Sequence, residues 1–370
     1  PLVIKAFVKN EIVFVIALIA AVATAFFNPP SLGWIDAIDF RTLALLFSLM
    51  GISEGLKGSA FFSSVAATIE RKAGNTKRLS LLLVIIVFIS SMFFTNDVSL
   101  LIFVPFSMML LDMAQVDEEH VMRIVVLETI SANLGSMTTP VGNPQNLYIC
   151  SFFNVDAIPF FRTILPYSII SAVLIAILSL LLLREKNNIE EVRESTETIN
   201  VGKTTIYLGL LLVALLSVFR IIDWKVLFFL ELAILIIMDR KVLMHIDYIL
   251  LLTFVCFFIF SENMGKIETV RNLLTAPMTS HPVATSALVS QVISNVPAAI
   301  LLSPFSSSFE GVLVGTDIGG LGTPIASLAS LISLKFYYKR KGSGKGRYMA
   351  IFLLWNFVLL GILALVSLVF

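Results

Sequence analysis

Charge is what this chain has least of. Only 14% of its 370 residues are Asp, Glu, Lys or Arg and 58% are hydrophobic, whereas a soluble domain carries about 25% charged residues. That composition excludes a water-soluble globular protein. Cysteine is almost absent: Cys150 and Cys256 both sit in apolar runs, which excludes a disulfide framework or a CxxC redox site and reads as packing. The three histidines, His120, His245 and His281, fall in separate segments, so no metal cluster forms from them. HExxH and Walker-type phosphate loops are missing, and with them the usual signatures of zinc-protease or nucleotide chemistry. The chain reads as a non-enzyme, with no organic cofactor and no nucleic-acid partner.

What is present is phenylalanine, 30 of them, and several apolar runs longer than about 18 residues, the length that spans a bilayer as a helix. The fold class is therefore an all-α polytopic membrane protein, whose first partner is the lipid bilayer. One polar triplet breaks the pattern: Thr95-Asn96-Asp97, inside FISSMFFTNDVSLLIFVPF. A carboxylate flanked by hydrocarbon-length runs must face protein, water or a ligand. The pattern returns at Ser294-Asn295-Val296 in SQVISNVPAAILLSPF, again with a Pro-Phe pair, Pro105-Phe106 or Pro304-Phe305, beginning nine residues after the asparagine.

In chain order, residues 10–28 and 40–56 read as spans and Gly58–Gly74, ending in Glu70-Arg71-Lys72, as an amphipathic interfacial helix. Lys5, Lys9 and Ala23-Thr24-Ala25 also fit a signal peptide, but the topology below uses this helix as a retained span. A hairpin over 79–111, with arms of about 15 residues, is too short to cross at 1.5 Å per residue and reads as re-entrant. Residues 124–154 form a helix broken by SANLGSMTTPVGNPQN, whose glycines and prolines free backbone groups tolerable only where they line a cavity. Residues 1–183 make a first half and 184–205 a hydrophilic linker. Residues 206–370 make a second half with its own hairpin, 282–308, and broken helix, 310–338. Matched landmarks support the repeat: Asp39 with Asp247 and Glu54 with Glu262, both 208 apart; Gly135 with Gly319, Thr139-Pro140 with Thr323-Pro324 and Asn133 with Asp317, all 184 apart.

Placing Lys5/Lys9, Arg71–Arg78, the linker, Arg240/Lys241 and Lys335–Arg347 inside satisfies the positive-inside rule with about nine full spans. The second half is then inverted relative to the first. The N-terminus lies inside and the C-terminus outside the plasma (inner) membrane. The acidic Asp117–Glu119 also falls inside, against the trend.

Inverted repeats place their sites where the halves meet, with carbonyls and side-chain oxygens for a cation and helix N-termini for an anion. The ligand candidates are Thr95, Asn96, Asp97, Asn133, Thr138, Thr139, Pro140, Gly142, Asn143, Ser294, Asn295, Asp317, Gly322, Thr323 and Pro324. Sodium would sit at Asn96/Asn143 and at Asn295/Thr323. The same Asn, Ser and Thr side chains could instead serve as interhelical hydrogen bonds. Asp97, Asp317 and Glu128 are the coupling candidates, loading a proton or neutralising sodium. Each aspartate also reads as a helix N-cap, Asp317 for the helix after Gly319-Gly320, and Glu128 as a partner for Arg123. Glu54 and Glu262, at span ends, read as structural.

The TND…VPF hairpin, TTPVGNPQN and SNVPAAILLSPF resemble the ion transporter superfamily, in its arsenite permease, NhaD-like and citrate-transporter-like branch. The resemblance implies a scaffold that forms a homodimer and a transport domain, carrying the hairpins, that moves elevator-fashion. The related divalent-anion/sodium symporters carry Ser-Asn-Thr at both tips. Here the third positions are Asp97 and Val296, a departure that disfavours a di- or tricarboxylate. The expected function is an ion-coupled secondary active transporter of a small anion or oxyanion, using Na+ or H+. The alternatives are a sodium/proton antiporter without organic substrate, a di- or tricarboxylate symporter, and a channel or membrane receptor. Single cysteines placed in residues 184–205 are expected to react with impermeant maleimide only from the cytoplasmic side; labelling from outside would reverse the topology.

Overall fold

The computed structural model describes residues 11–29, 33–65, 68, 75–183, 198–340 and 344–369. Lys5, Lys9, Glu70-Arg71-Lys72, residues 66, 67 and 69–74 of the interfacial helix read over 58–74, and residues 184–197 of the linker lie outside the described residues. Within the described residues every regular element is a helix. The first half contains α1 (Ile12–Ala25), α2 (Gly33–Ala37), α3 (Phe40–Gly58), α4 (Thr76–Phe94), α5 (Asn96–Met113), α6 (Glu118–Ser136), α7 (Pro144–Phe152) and α8 (Ala157–Leu182). The second half contains α9 (Val201–Val218), α10 (Trp224–Met238), α11 (Arg240–His245), α12 (Tyr248–Lys266), α13 (Glu268–Ser280), α14 (Pro282–Ile293) and α15 (Asn295–Leu302, extended by a 3-10 turn at Ser303–Phe305). It closes with α16 (Phe309–Gly319), α17 (Leu328–Tyr338) and α18 (Lys345–Val366).

The repeat extends to local chemistry. Asp39 caps α3 by accepting from Thr42 N at 3.0 Å, and Asp247 caps α12 by accepting from Leu250 N at 2.8 Å. Each aspartate satisfies a helix-start N–H that would otherwise lack a partner. The Glu54 and Glu262 carboxylates pair along their own helices with Lys57 and Lys266 at 3.2 and 2.8 Å, the structural role read from their positions. In each half the hairpin's first arm packs on the helix that precedes the break, α4 on α6 and α14 on α16. The hairpin's second arm crosses to the other half, where α5 meets α17 and α15 meets α7. On the other side of the molecule α3 packs on α9 and α10, and α1 on α12.

Two boundaries differ from the sequence reading. The arms of the first hairpin have 19 and 18 residues, not about 15. Asn75 starts α4 a turn earlier by accepting from Arg78 N at 2.8 Å, and α5 continues through Pro105 to Met113. At roughly 28 Å each, these arms approach the thickness of the hydrocarbon core. They are among six described helices long and apolar enough to cross a membrane, against about nine spans counted from the sequence. The second hairpin stays short, with arms of 12 and 8 residues. The first span contracts to 14 residues, Ile12–Ala25.

The acidic segment that ran against the charge rule is neutralised by pairing. Arg340 meets Asp112 and, at 2.7 Å, Glu118, which also accepts from Tyr337 at 2.7 Å. Glu119 pairs with Arg123 and, at 2.9 Å, with Arg347. These ion pairs tie the start of α6 to the end of α17 and the start of α18.

Close packing of arm on helix depends on glycine at matched positions. A Cβ on Gly319 would stand 2.8 Å from Ala287 Cα and 2.9 Å from Ser290 Cβ; one on Gly135 would collide with the Phe88 carbonyl and Ser91. Gly319→Val is therefore expected to destabilise by about 1–3 kcal/mol through overpacking, read as a lower Tm of the purified protein in detergent. An unchanged Tm would show that the arm is not held there.

Candidate functional site

Both hairpin tips turn on one non-helical residue. Thr95 (φ 68°, ψ 152°) and Ser294 (φ 74°, ψ 155°) occupy a region almost reserved for glycine. Side chains held there carry strain of order 1–3 kcal/mol, tolerated where surrounding contacts enforce it. Those contacts recur in both halves. Asn96 N donates to Gly142 O at 3.1 Å, and Asn295 N donates to Ala326 O at 2.9 Å. The Thr139 hydroxyl donates to Met92 O, and the Thr323 hydroxyl donates to Gln291 O at 3.0 Å. Each break is thus stitched to its own hairpin by at least one backbone and one side-chain bond, and these two recur in both halves.

A second set of bonds joins the halves. Asn143, which caps α7, donates from Nδ2 to Asp317 Oδ1 at 3.0 Å. Ser327, at the matching start of α17, donates to Asn133 Oδ1 at 2.9 Å. Asn133 also receives Asn96 Nδ2 at 3.2 Å and donates to Ser330 at 3.2 Å. Gln145 Nε2 adds a second donor to Asp317 Oδ1 at 3.2 Å. Asp317 and Asn133 are therefore equivalent positions, one an acid and the other an amide. Asp317 Oδ2 and Asp97 Oδ1 are buried and accept no hydrogen bond among the described residues.

Between the tips lies a cavity of about 20 Å³, room for about one water-sized species. Asn96-Asp97, Pro144-Gln145, Asn295-Val296 and Ser327-Leu328 all border it, so the N-termini of α5, α7, α15 and α17 converge there. Among the described lining residues none is Arg or Lys. The cavity adjoins a cleft of about 580 Å³ that shares Asp97 and Pro144 and opens past Asp247, His245 and Lys335. A second cleft of about 600 Å³, lined by Asp39, Tyr148, Glu262 and Arg271, includes no tip residue.

Set beside the sequence candidates, Asn96, Asp97, Ser294 and Asn295 line the cavity, and Thr95 lines the adjoining cleft. Asn133, Asn143 and Asp317 lie behind it, in the bonds that join the halves. Gly142 contributes its carbonyl, Gly322 a backbone at φ 103°, and Pro140 and Pro324 occupy the two breaks. The Thr138 hydroxyl is buried and without a partner among the described residues. The oxygens of the two sodium pairs are already engaged: Asn96 Oδ1 accepts Asp97 N at 2.9 Å, Asn143 Oδ1 accepts Asn146 N at 3.0 Å, and Asn295 Oδ1 accepts Val296 N at 2.9 Å.

Three roles change. Asp97 is no N-cap; Thr95 holds that place, and Asp97 lies in the first turn of α5. Asp317 falls in the last turn of α16, where a cap for a following helix is impossible. Glu128 accepts from Ser107 on α5, while Arg123 takes Glu119 instead, one turn away on the same helix.

The sequence reading passed over Gln145, Ser327, Gln291 and Glu231. Gln145 stands in the quoted GNPQN run, and Ser327 is the 184-residue match of Asn143. Glu231, fully buried on α10, would be struck by a Cβ on Gly51 of α3. Its signal was a lone carboxylate in the apolar run LFFLELAILIIM.

A family model described as Citrate transporter matches residues 2–332. "Uncharacterized transporter MJ0456" of Methanocaldococcus jannaschii is 30% identical over 303 residues, 80% of this chain and 81% of that protein. "Inner membrane protein YbiR" of Escherichia coli is 28% identical over 335 residues, 89% of this chain and 88% of its own length. "Silicon efflux transporter LSI3" of rice, Oryza sativa, is 29% identical over 130 residues, 35% of this chain and 26% of that protein.

The stitching bonds carry a prediction. Thr139→Val and Thr323→Val keep side-chain volume but remove the hydroxyl, and each is expected to cost about 0.5–1.5 kcal/mol. Melting curves of the two single variants should show comparable losses; no loss in either would remove the hydroxyls from the account of the tips.

Proposed function

The chain belongs to the citrate transporter family, and from that premise we propose that it is an ion-coupled secondary active transporter of a small anion or oxyanion. The observation that carries this reading is the meeting of four helix N-termini, two from each half, at one cavity. Each helix start presents free N–H groups and about half a positive elementary charge. No other source of positive potential borders the cavity among the described residues, and Lys335 and His245 stand at the mouth of the adjoining cleft.

The same site holds the Asp97 carboxylate, with Asp317 directly behind it. An anion set beside buried, ionised carboxylates would be repelled. Loading Na+ or H+ at Asp97 or Asp317 removes that repulsion, so cation and anion favour each other's binding, reciprocally. Coupling follows from the charge arrangement. A tricarboxylate would require further neutralisation, which favours a small oxyanion as the substrate class.

Movement is read from packing. The two hairpins and two broken helices form one interlocked body, while α1, α3, α9, α10 and α12 form the scaffold face, the expected homodimer contact. In an elevator cycle the body would slide against that face. With Arg240, Lys241 and Lys335 inside, the cleft that reaches Asp97 opens to the cytoplasm, so the conformation is inward-facing. The name of the relative YbiR supports an inner-membrane location.

Sodium/proton exchange without an organic substrate is the second reading, favoured by the lack of Arg and Lys in the cavity lining. Proteoliposomes separate the two. Uptake of labelled oxyanion driven by a sodium or pH gradient supports the first, and collapse of a pH gradient by sodium alone supports the second. Asp97→Asn is expected to leave the protein folded and to cut gradient-driven uptake by roughly tenfold or more, the scale of a typical coupling free energy. Full activity in that variant would remove Asp97 from coupling.

A further inference from the structure

Gln291 lies three residues before the second tip, and its side chain reaches into the second break. Its Nε2 stands 2.8 Å from Gly319 O, 2.9 Å from Leu321 O and 3.2 Å from Ala287 O. Its Oε1 accepts Thr323 N at 2.9 Å, and its own carbonyl accepts the Thr323 hydroxyl. Two carbonyl oxygens freed by a helix end and a helix break, Gly319 O and Leu321 O, thus converge with Ala287 O, one turn back on the arm's own helix, on one point. That is how unwound membrane helices hold a monovalent cation. An amide has only two N–H groups for the three oxygens. Glycine at 322 is what admits it: a Cβ there would lie 2.9 Å from Gln291 Cδ, at a φ of 103° that already favours glycine.

The first half has no such side chain. The residue matching Gln291, by the 199-residue spacing of the tips, is Met92, whose thioether donates no hydrogen bond. The matching carbonyls belong to Phe88, Gly135 and Met137. Phe88 O takes the hydroxyl of Ser91, on the same arm, at 2.9 Å, Gly135 O accepts Thr138 N at 3.0 Å, and Met137 O receives the Asn146 amide at 3.4 Å from beyond the break. Among the described residues no side chain of that arm bridges all three carbonyls as Gln291 does in the second half.

We infer that the Gln291 amide is a tethered stand-in for a monovalent cation: it fills the three-carbonyl cage of the second break and leaves ion binding to the first half of the site. The two halves share a backbone, but only one is open to a coupling ion, which lowers the number of ions that accompany each substrate. The inference builds on the transporter reading, yet its test needs no transport.

The purified full-length protein is melted in NaCl and in choline chloride at equal ionic strength. Gln291→Ala bares the cage, and Gln291→Met bares it while keeping side-chain volume and copying the first half. Each variant is expected to melt below the wild type in choline and to recover most of the deficit as sodium fills the cage, since a ligand of the folded state stabilises by mass action. The wild type should show a smaller sodium response, from the first half alone. A deficit that sodium does not reduce in either variant would overturn the inference and leave Gln291 a brace. If Gln291→Ala does not fold in either salt, the Gln291→Met curves decide. Failure of the transporter reading would appear separately, as wild-type proteoliposomes without gradient-driven uptake.

Discussion

A helix that ends inside a membrane protein leaves N–H and C=O groups that hydrocarbon cannot satisfy. This molecule contains two hairpin tips and two broken helices, so the constraint applies repeatedly within a small volume. It is met the same way in both halves: each tip asparagine donates its N–H to a carbonyl of the break, and each break threonine returns a hydroxyl to the hairpin. The strained Thr95 and Ser294 backbones are the cost of bringing these groups into register. Glycine at 135 and 319 lets arm and helix approach closely enough for it to happen.

Because the tips and breaks must satisfy one another, they also collect in one place. Four helix starts then face a common cavity, and positive potential arises there without a basic side chain. The carboxylates of Asp97 and Asp317 oppose it from the same neighbourhood. In the proposed reading, a site with that balance would favour an anion arriving with a cation over one arriving alone, and the hairpins and broken helices would move against the remaining helices.

The two halves match in backbone and differ in side chains at the positions that set charge. Asp97 matches Val296, Asp317 matches Asn133 and Gln291 matches Met92. The bonding scheme is repeated while the electrostatics are not. Repetition serves the common constraint on backbone polar groups; divergence is free to occur at side chains, whose changes leave those bonds in place. The crossed pair, Asn143 to Asp317 and Ser327 to Asn133, shows both at once, with matching bonds to an acid and to an amide acceptor.

Much of this was legible in the chain itself. Low charge and long apolar runs determined a membrane protein of helices, and the repeated Asn96 and Asn295, Thr139 and Thr323 located both tips and both breaks. The repeat survives in sequence because each tip and each break keeps its own local motif, while the segment between them differs in length. Partners across the halves left no such trace. That Asp317 closes on Asn143, that Glu128 takes Ser107 and not Arg123, and that Gln291 plugs the second break were decided by tertiary packing. Hairpin lengths were misjudged for a related reason, since Asn75 lengthens α4 through a cap that hydropathy does not register. Composition and periodicity report which segments must be buried; which buried polar groups meet depends on how the two halves cross, and only the folded chain settles that.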